Sequence, residues 1–402
     1  MAGRNFNVVV VGGGASGIVA AISAKRRGSS VLLCEKMPHL GKKILASGNG
    51  RCNLSNENLD SSFYNPAAQP LVKTAFSRFG KSSIDEFFRS IGLLLRSEEG
   101  RIFPATNQSA SVLKALEMEL RRLDIPAETG FDVSTISGSG SSKGFTVTSR
   151  ANGTISTRSV VIACGGKSYP SFGADGTAYK FAEKLGHTIV EPVPSAVPLN
   201  IKDPLCHHLQ GQKIEASVES IVNGKRMEKA GGDLLFTKYG LSGTAILDIS
   251  DSISIAINRN RVRDVAISVD MVPFMDEADL AGELKRKASK KTSHDEMAVG
   301  ILPNKFCLPL RDLFRAKAPL EAAKALKNRI FRVSGTRGWN EADFTAGGVD
   351  TSEIDHATME SKLNKGILLT GEMLDVNGKR GGYNLAWAWA SGFVAGESAA
   401  NA

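Results

Sequence analysis

Asn7-Val-Val-Val-Val11-Gly12-Gly-Gly14-Ala15-Ser16-Gly17-Ile-Val-Ala-Ala21 is the stretch that decides the fold. Asn7 to Val11 is a short β-branched run, which reads as a buried strand. Gly12, Gly14 and Gly17 satisfy the spacing G-x-G-x-x-G, and Ile18 to Arg27 then reads as a helix ended by Gly28. Ser30 to Cys34 is a second strand, with Glu35 at its C-terminal end. Each part has a physical task. Gly12 permits the tight turn, Gly14 lets the backbone approach a pyrophosphate, and Gly17 lets helix and strand pack closely. The helix N-terminus, entered through Ala15 and Ser16, offers unpaired N–H groups and a positive dipole end to phosphates. Glu35 stands where a carboxylate accepts hydrogen bonds from ribose hydroxyls, and its charge disfavours the 2′-phosphate of NADP. The turn alone does not separate FAD from NAD.

Gly41-Lys42-Lys43-Ile-Leu-Ala-Ser47-Gly48-Asn49-Gly50-Arg51-Cys52-Asn53-Leu-Ser-Asn56 follows directly. It has no clear helical or strand period and is dense in Gly and Asn, so it reads as a loop. Following a ribose-binding acid, it is expected to lie against the cofactor. Its glycines permit close backbone approach, and Lys42, Lys43 and Arg51 can meet phosphate or a substrate anion.

Bulk properties bound the alternatives. At 402 residues the chain is expected to hold two or three domains. With 42% hydrophobic and 23% charged residues it has the composition of a globular protein. Glycines interrupt the one N-terminal apolar run, so neither a signal peptide nor a transmembrane segment is expected, and the cytosol is the expected location. The cysteines (Cys34, Cys52, Cys164, Cys206 and Cys307) form no C-x-x-C pair and are odd in number, which speaks against disulfides and for a reducing compartment. No metal site is expected, since the histidines do not join the cysteines at ligand spacing; the adjacent His207 and His208 read as surface residues. The net charge of +9 is uneven, with nine basic residues against two acids in residues 305–337. Such a segment attracts phosphorylated cofactors, acidic substrates or nucleic acid, or forms a solvated helix face.

Along the rest of the chain, residues 70–125 carry helical spacing. Residues 130–165 alternate as a β-meander with turn clusters at 137–142 and 151–153, and Val160 to Ala163 reads as a buried strand. From about Ser195 short strands dominate, Ile253 to Ile257 among them, and residues 275–330 are helical and lysine-rich. No second G-x-G-x-x-G occurs in that stretch, so a reductase with two dinucleotide folds is disfavoured. Gly366 to Thr370 is another buried strand, closed by Gly371-Glu372. Gly381-Gly382-Tyr383-Asn384 then opens an apolar helix, Leu385 to Ala400. A helix N-terminus aimed at a flavin pyrimidine ring stabilises negative charge there, and this second site favours FAD over NAD.

Gly12–Gly17, Glu35-Lys36 and Ser47–Asn53 together resemble the BaiN/YhiN-like family of FAD-dependent oxidoreductases. The resemblance continues at Gly165-Gly166-Lys167-Ser168-Tyr169-Pro170, Thr345-Ala-Gly-Gly-Val349, Gly371-Glu372-Met-Leu-Asp375 and Gly381–Asn384, in order along almost the whole chain. It implies an α/β fold: a Rossmann-like FAD-binding domain in split N- and C-terminal parts (residues 1–194 and 343–402), interrupted by an inserted domain. That insert (residues 195–342) is expected to be β-barrel-like over 195–272 and helical over about 273–330. The resemblance implies reduction of conjugated ketones or oxidation of amines, by hydride transfer through flavin N5 on a small organic substrate. NADH or NADPH is the possible transient donor. A nucleic-acid-modifying flavoprotein is the alternative that the basic segment raises.

The expected cofactor-facing residues are Gly12, Gly14, Ala15, Ser16, Gly17, Glu35, Lys36, Lys42, Gly50, Arg51, Cys52, Asn53, Val133, Cys164, Gly165, Gly166, Gly371, Glu372, Gly382, Tyr383 and Asn384. Arg51 is the expected orienter of an anion or polarised carbonyl, and Tyr169 the expected proton donor.

Overall fold

The computed structural model describes residues 4–139 and 144–401. The chain forms two compact units, Met1–Pro192 with Phe344–Ala402, and Val193–Asp343.

In the first unit, five parallel strands run in the spatial order Ala127–Thr129, Val31–Glu35, Arg4–Val11, Gly153–Ile162 and Ile367–Leu369. Val8 to Val11 and Val160 to Ile162 are buried without alternation, as strands covered on both faces must be. Gly153–Ile162 changes partner along its length. Its first half alternates and pairs antiparallel with Gly144–Ser149, while Val160–Ile162 pair with Ile367–Leu369. The meander strand Val133–Ser139 completes this sheet; of the 137–142 turn cluster, residues 140–142 lie outside the described residues.

Two helices pack against each other beside this sheet: the first, Ala15–Arg26, and the last, Tyr383–Asn401. Their contact depends on glycine. A Cβ on Gly392 would lie 2.3 Å from Ser16 O, and one on Gly396 would lie 2.2 Å from Ala20 O. Ser23 adds a hydrogen bond from its Oγ to Phe393 O at 2.9 Å. Both contact positions advance together, Ser16 with Gly392 and Ala20 with Gly396, so the helices run parallel. Trp387 and Trp389 are fully buried, each donating its indole N–H to a carbonyl, Gly371 O at 3.1 Å and Leu54 O at 3.0 Å. Each tryptophan thereby buries a large apolar surface without an unmet donor.

The second unit holds a seven-stranded antiparallel sheet in the order Arg329–Arg332, Val265–Asp270, Lys213–Val222, Lys225–Thr237, Gly240–Ser242, Leu199–Asn200, Gly335–Thr336. The helices Thr244–Ser254, Glu277–Ser289, Cys307–Ala316 and Pro319–Lys327 complete it, over a core that includes Phe236, Phe306 and Phe331.

Several local readings change. Ile253 to Ile257 is not a strand: Ile253 lies in Thr244–Ser254, and Ile255–Arg259 continues as a wider helical turn. The alternation of Ile253, Ile255 and Ile257 masks a second period. Ala245, Ile246, Ile249, Ile253 and Ala256 are buried together at helical spacing. The 41–56 segment contains a short helix, Lys42–Ala46, and a two-residue strand, Ser55–Asn56. Between the helices of residues 70–125 stands a hairpin of Leu95–Glu98 and Arg101–Pro104. Among the described residues no helix is long and apolar enough to cross a membrane.

Replacing Gly396 by Ala raises local helix propensity yet drives a methyl group into the Ala20 carbonyl. The expected net result is a loss of about 1–3 kcal/mol, read as a lower thermal unfolding midpoint. An unchanged or higher midpoint would contradict the packing described.

Candidate dinucleotide site

The glycine turn sits at the C-terminal end of the parallel strands. The ladder extends to it through Gly12 N donating to Cys34 O at 2.8 Å and Ala163 N to Val11 O at 2.8 Å. Gly12 has φ +108°, and a Cβ there would lie 2.4 Å from Ala163 O. A Cβ on Gly17 would lie 1.8 Å from Gly12 O, so the third glycine is required by the turn itself. Gly14 differs: a Cβ there meets nothing within 4 Å. Gly14 is also the N-cap of the first helix, no side chain caps that end, and its first turn carries no acid. Ala15 and Ser16 are the first helical residues. Open space above a bare helix N-terminus is the environment a pyrophosphate requires.

Glu35 closes the other side of the turn. Its Oε2 accepts from Gly13 N at 2.6 Å and its Oε1 from Met37 N at 2.8 Å. Phe131 N donates to Glu35 O at 2.9 Å, which brings the start of Val133–Ser139 beside the same strand end. Lys36 is ion-paired with Asp175 at 2.9 Å.

The C-terminal segment meets the turn at Gly371. A Cβ on Gly371, whose φ is +75°, would lie 2.5 Å from Ser16 Oγ, and Gly371 N donates to Ser391 Oγ at 3.0 Å. The last helix begins at Tyr383, nine residues before Gly392, whereas the first begins one residue before Ser16. At 1.5 Å per residue, the N-terminus of the last helix therefore stands about 12 Å farther out than that of the first. Gly382 (φ +100°) leads into it, and a Cβ there would lie 2.3 Å from Ser55 O and 2.8 Å from Asn53 Oδ1. Asn53 Oδ1 and Thr370 Oγ1 are buried without a hydrogen-bond partner, one beside Gly382 and the other next to Gly371. Unmet polar atoms at both ends of an open cradle fit a long polar ligand lying along it.

Tyr383 and Asn384 turn their side chains to the protein. Tyr383 stacks on Phe63 at 4.6 Å, and Tyr64 Oη donates to Tyr383 O at 2.7 Å. Asn384 clamps its own approach loop, accepting from Gly378 N at 2.9 Å and donating to Gly378 O at 2.8 Å.

A polar network ties together four segments far apart in sequence. Glu372 Oε2 pairs with Lys43 Nζ at 2.5 Å, and its Oε1 accepts from Ser168 Oγ at 2.7 Å and Thr345 N at 2.9 Å. Lys43 also contacts Ser168 Oγ, while Thr345 Oγ1 accepts from Lys167 N at 2.8 Å. Gly166 lies against this network, since a Cβ there would lie 2.5 Å from Thr345 Oγ1. Sequence reasoning singled out neither Ser168 nor Thr345 as a site residue and preferred Lys42 to Lys43. Lys42 is half-buried and paired with no acid among the described residues. The local signal was the motif membership of Ser168 and Thr345; which lysine turns inward depends on the short helix they share.

The segment Gly48–Cys52 is strained. Asn49 (φ 54°) and Cys52 (φ 58°) take the left-handed conformation beside Gly48 and Gly50. Arg51 braces it. Its Nη2 reaches both Glu98 oxygens, at 2.9 and 2.8 Å, its Nε donates to Asn107 Oδ1 at 2.8 Å, and its guanidinium lies over Phe103 at 4.2 Å. The ion pair holds the Glu98 carboxyl below its ordinary range. Tyr169 also has a positive φ, 54°, although a proline follows, and stacks on Phe172 at 5.3 Å. Residues before proline favour extended backbone, so this is a strained position kept next to the Gly165-Gly166 turn.

Cys52 is buried and Cys164 half-buried, and desolvation pushes both thiols up to about 12. Both are protonated near neutral pH. Among the described residues no group of three or more metal-binding side chains is placed to hold an ion.

This fold and this cradle define a dinucleotide-binding oxidoreductase of the Rossmann class. The HI0933-like protein Rossmann domain matches residues 6–398, and the chain belongs to that family. It is 37% identical over 407 residues (97% of this chain, 98% of the relative) to a 3-dehydro-bile acid delta(4,6)-reductase of Clostridium scindens. It is 29% identical over 405 residues (97% of each) to a ribosomal RNA dihydrouridine synthase of Escherichia coli. In fold it is similar to a 3-ketosteroid-delta4-(5alpha)-dehydrogenase of Rhodococcus jostii, with a TM-score of 0.54 at 14% identity over 99% of this chain and 97% of that one.

Two outcomes follow from this geometry. Iodoacetamide at pH 8 should leave Cys52 unmodified in the folded protein, by peptide mass mapping; rapid labelling would contradict its burial. In a double-mutant cycle, Lys43→Met and Glu372→Gln should show a coupling of about 0.5–1 kcal/mol in unfolding free energy, and additive losses would remove the pair from the network.

Proposed function

We propose that this chain is an FAD-dependent oxidoreductase that reduces a carbon–carbon double bond conjugated to a carbonyl in a small organic substrate, with NADH or NADPH as electron donor. The observation that carries the cofactor is the pair of parallel helices whose N-termini are offset by about 12 Å. One end suits the pyrophosphate, and the other suits the electron-rich end of a reduced flavin. FAD, when bound, supplies the ring that accepts and donates hydride. Glu35 would hold the adenosine ribose, Gly12, Gly14, Ala15, Ser16 and Gly17 the pyrophosphate, and Gly371, Glu372 and Gly382 the remainder.

The reaction class is supported by what two full-length relatives have in common. A reductase acting at the delta(4,6) positions of a 3-dehydro-bile acid saturates double bonds conjugated with a ring ketone. A dihydrouridine synthase saturates the ring double bond of uracil, which is also conjugated with a carbonyl. Such a reaction leaves negative charge on the carbonyl and requires a proton at the neighbouring carbon. The Tyr169 hydroxyl is the donor we assign to that proton. Arg51, whose charge is shared with Glu98, is assigned to bracing the Gly48–Asn53 turn.

The basic segment gives little support to the nucleic-acid alternative. Six of its nine cations are ion-paired: Arg311 with Asp312, Lys317 with Glu321, Lys327 with Asp270, Arg329 with Asp203, Arg332 with Asp264 and Arg337 with Glu341.

We also infer that the sheet of the inserted unit closes into a barrel. Its outer strands, Arg329–Arg332 and Gly335–Thr336, are separated only by Val333 and Ser334. Val333 N donates to Val265 O at 2.9 Å, and Ser334 N donates to Asn200 O at 2.9 Å.

The test is an anaerobic visible spectrum of the purified protein with NADH or NADPH, followed by a 3-oxo steroid carrying a conjugated double bond. Bleaching by the nucleotide, recovery on adding the steroid and a product heavier by one hydrogen pair are expected. Persistent flavin bands with both donors would exclude the reductase reading, and failure to bind FAD would exclude the cofactor. Tyr169→Phe should lower turnover about 100-fold with the flavin spectrum intact; an unchanged rate would remove Tyr169 from the proton step.

A further inference from the structure

The inserted unit contains an open cleft of about 600 Å³ lined by Asn200, Lys202, Asp203, His207, Lys238 and Tyr239 among others. Its charges do not balance. Asp203 is the only carboxylate on the wall, and both of its oxygens are engaged: Oδ1 accepts from Leu205 N at 2.8 Å, and Oδ2 from Arg329 Nη2 at 2.9 Å. Lys202 and Lys238 are exposed, and neither has an acidic partner among the described residues.

Two connections bring the lysines to one wall. Asn200 pairs with Gly240 across antiparallel strands, and Ile201 N donates to Tyr239 O at 2.9 Å. Lys202 follows the strand Leu199–Asn200, and Lys238 and Tyr239 form the tight turn that joins Lys225–Thr237 to Gly240–Ser242. Two ammonium groups on the wall of one cleft, with no uncommitted carboxylate lining it, attract an anion. Three further groups surround them. The His207 ring and the Asn200 side chain line the same cleft, and the Tyr239 ring is backed by Arg337 at 4.7 Å. The volume exceeds what one phosphate fills, and a half-buried aromatic ring beside paired cations suits a planar base.

We infer that this cleft binds a phosphate-bearing nucleotide, with Lys202 and Lys238 holding phosphate and Tyr239 facing the base. The site lies wholly within the inserted unit and uses none of the residues assigned to FAD.

The test is calorimetric titration of the FAD-saturated full-length protein with ADP and with 2′,5′-ADP at low salt. The parent protein is compared with a Lys202→Gln/Lys238→Gln variant. Both lysines are exposed and unpaired, so the variant should keep its fold and its flavin spectrum. The expected result is saturable binding to the parent that weakens about tenfold or more in the variant and on raising salt from 50 to 500 mM, as for charge-dependent contacts. Tyr239→Leu should weaken binding of ADP more than that of pyrophosphate. Equal affinity in parent and variant, or no binding of either nucleotide to the parent, would overturn the assignment. So would binding seen only with oligonucleotides and growing with their length, which would mark a polynucleotide surface instead.

Discussion

Gly392 and Gly396 lack side chains, so the last helix reaches the backbone of the first at Ser16 and Ala20. Much of the first unit depends on this approach. It fixes the two helices parallel and in register, and thereby fixes the distance between their N-termini. The first helix has no side-chain cap at its N-terminus, and neither helix carries an acid in its first turn. Gly371 sits where the two meet, against Ser16 on one side and bonded to Ser391 and Trp387 on the other. A bulkier residue at any of these positions would separate the helices and change the span of the cradle.

The loops around that cradle are held by charge and strain. Glu372 collects Lys43, Ser168 and Thr345 into one network, so the 42–46 helix, the 164–170 turn and strand Phe344–Val349 converge on the segment following Gly371. Arg51 does a similar task for the left-handed Gly48–Cys52 turn through Glu98 and Asn107. Ion pairs so partly exposed contribute little to stability individually. Their effect is positional: they keep glycine-rich backbone, which has a large conformational entropy, in one arrangement.

Much of this is legible in the sequence. The β-branched run, the three glycines at fixed spacing and Glu35 are local features, and local sterics require glycine at Gly12 and Gly17. The Rossmann-like α/β fold was therefore readable from about thirty residues. Ile253 to Ile257 misled because three isoleucines at alternate positions satisfy both a strand period and part of a helical one, and only the surrounding buried residues choose between them. The basic segment, which by sequence reads as a ligand-attracting patch or a solvated helix face, shows a different limit. Three of its balancing acids, Asp203, Asp264 and Asp270, lie outside the segment and meet it only in the folded unit.

The sequence by itself determined the glycine turn and the helix N-terminus that follows it, because both are properties of adjacent residues. Tertiary structure decided which charged side chains remain available. Arg51 and Lys43 lie within the glycine-rich 41–56 segment, yet both are committed to acids more than forty residues away, while Lys202 and Lys238 line one cleft with no acidic partner among the described residues. Charge pairing falls off over a few ångströms and is indifferent to chain separation, so no local pattern can record it.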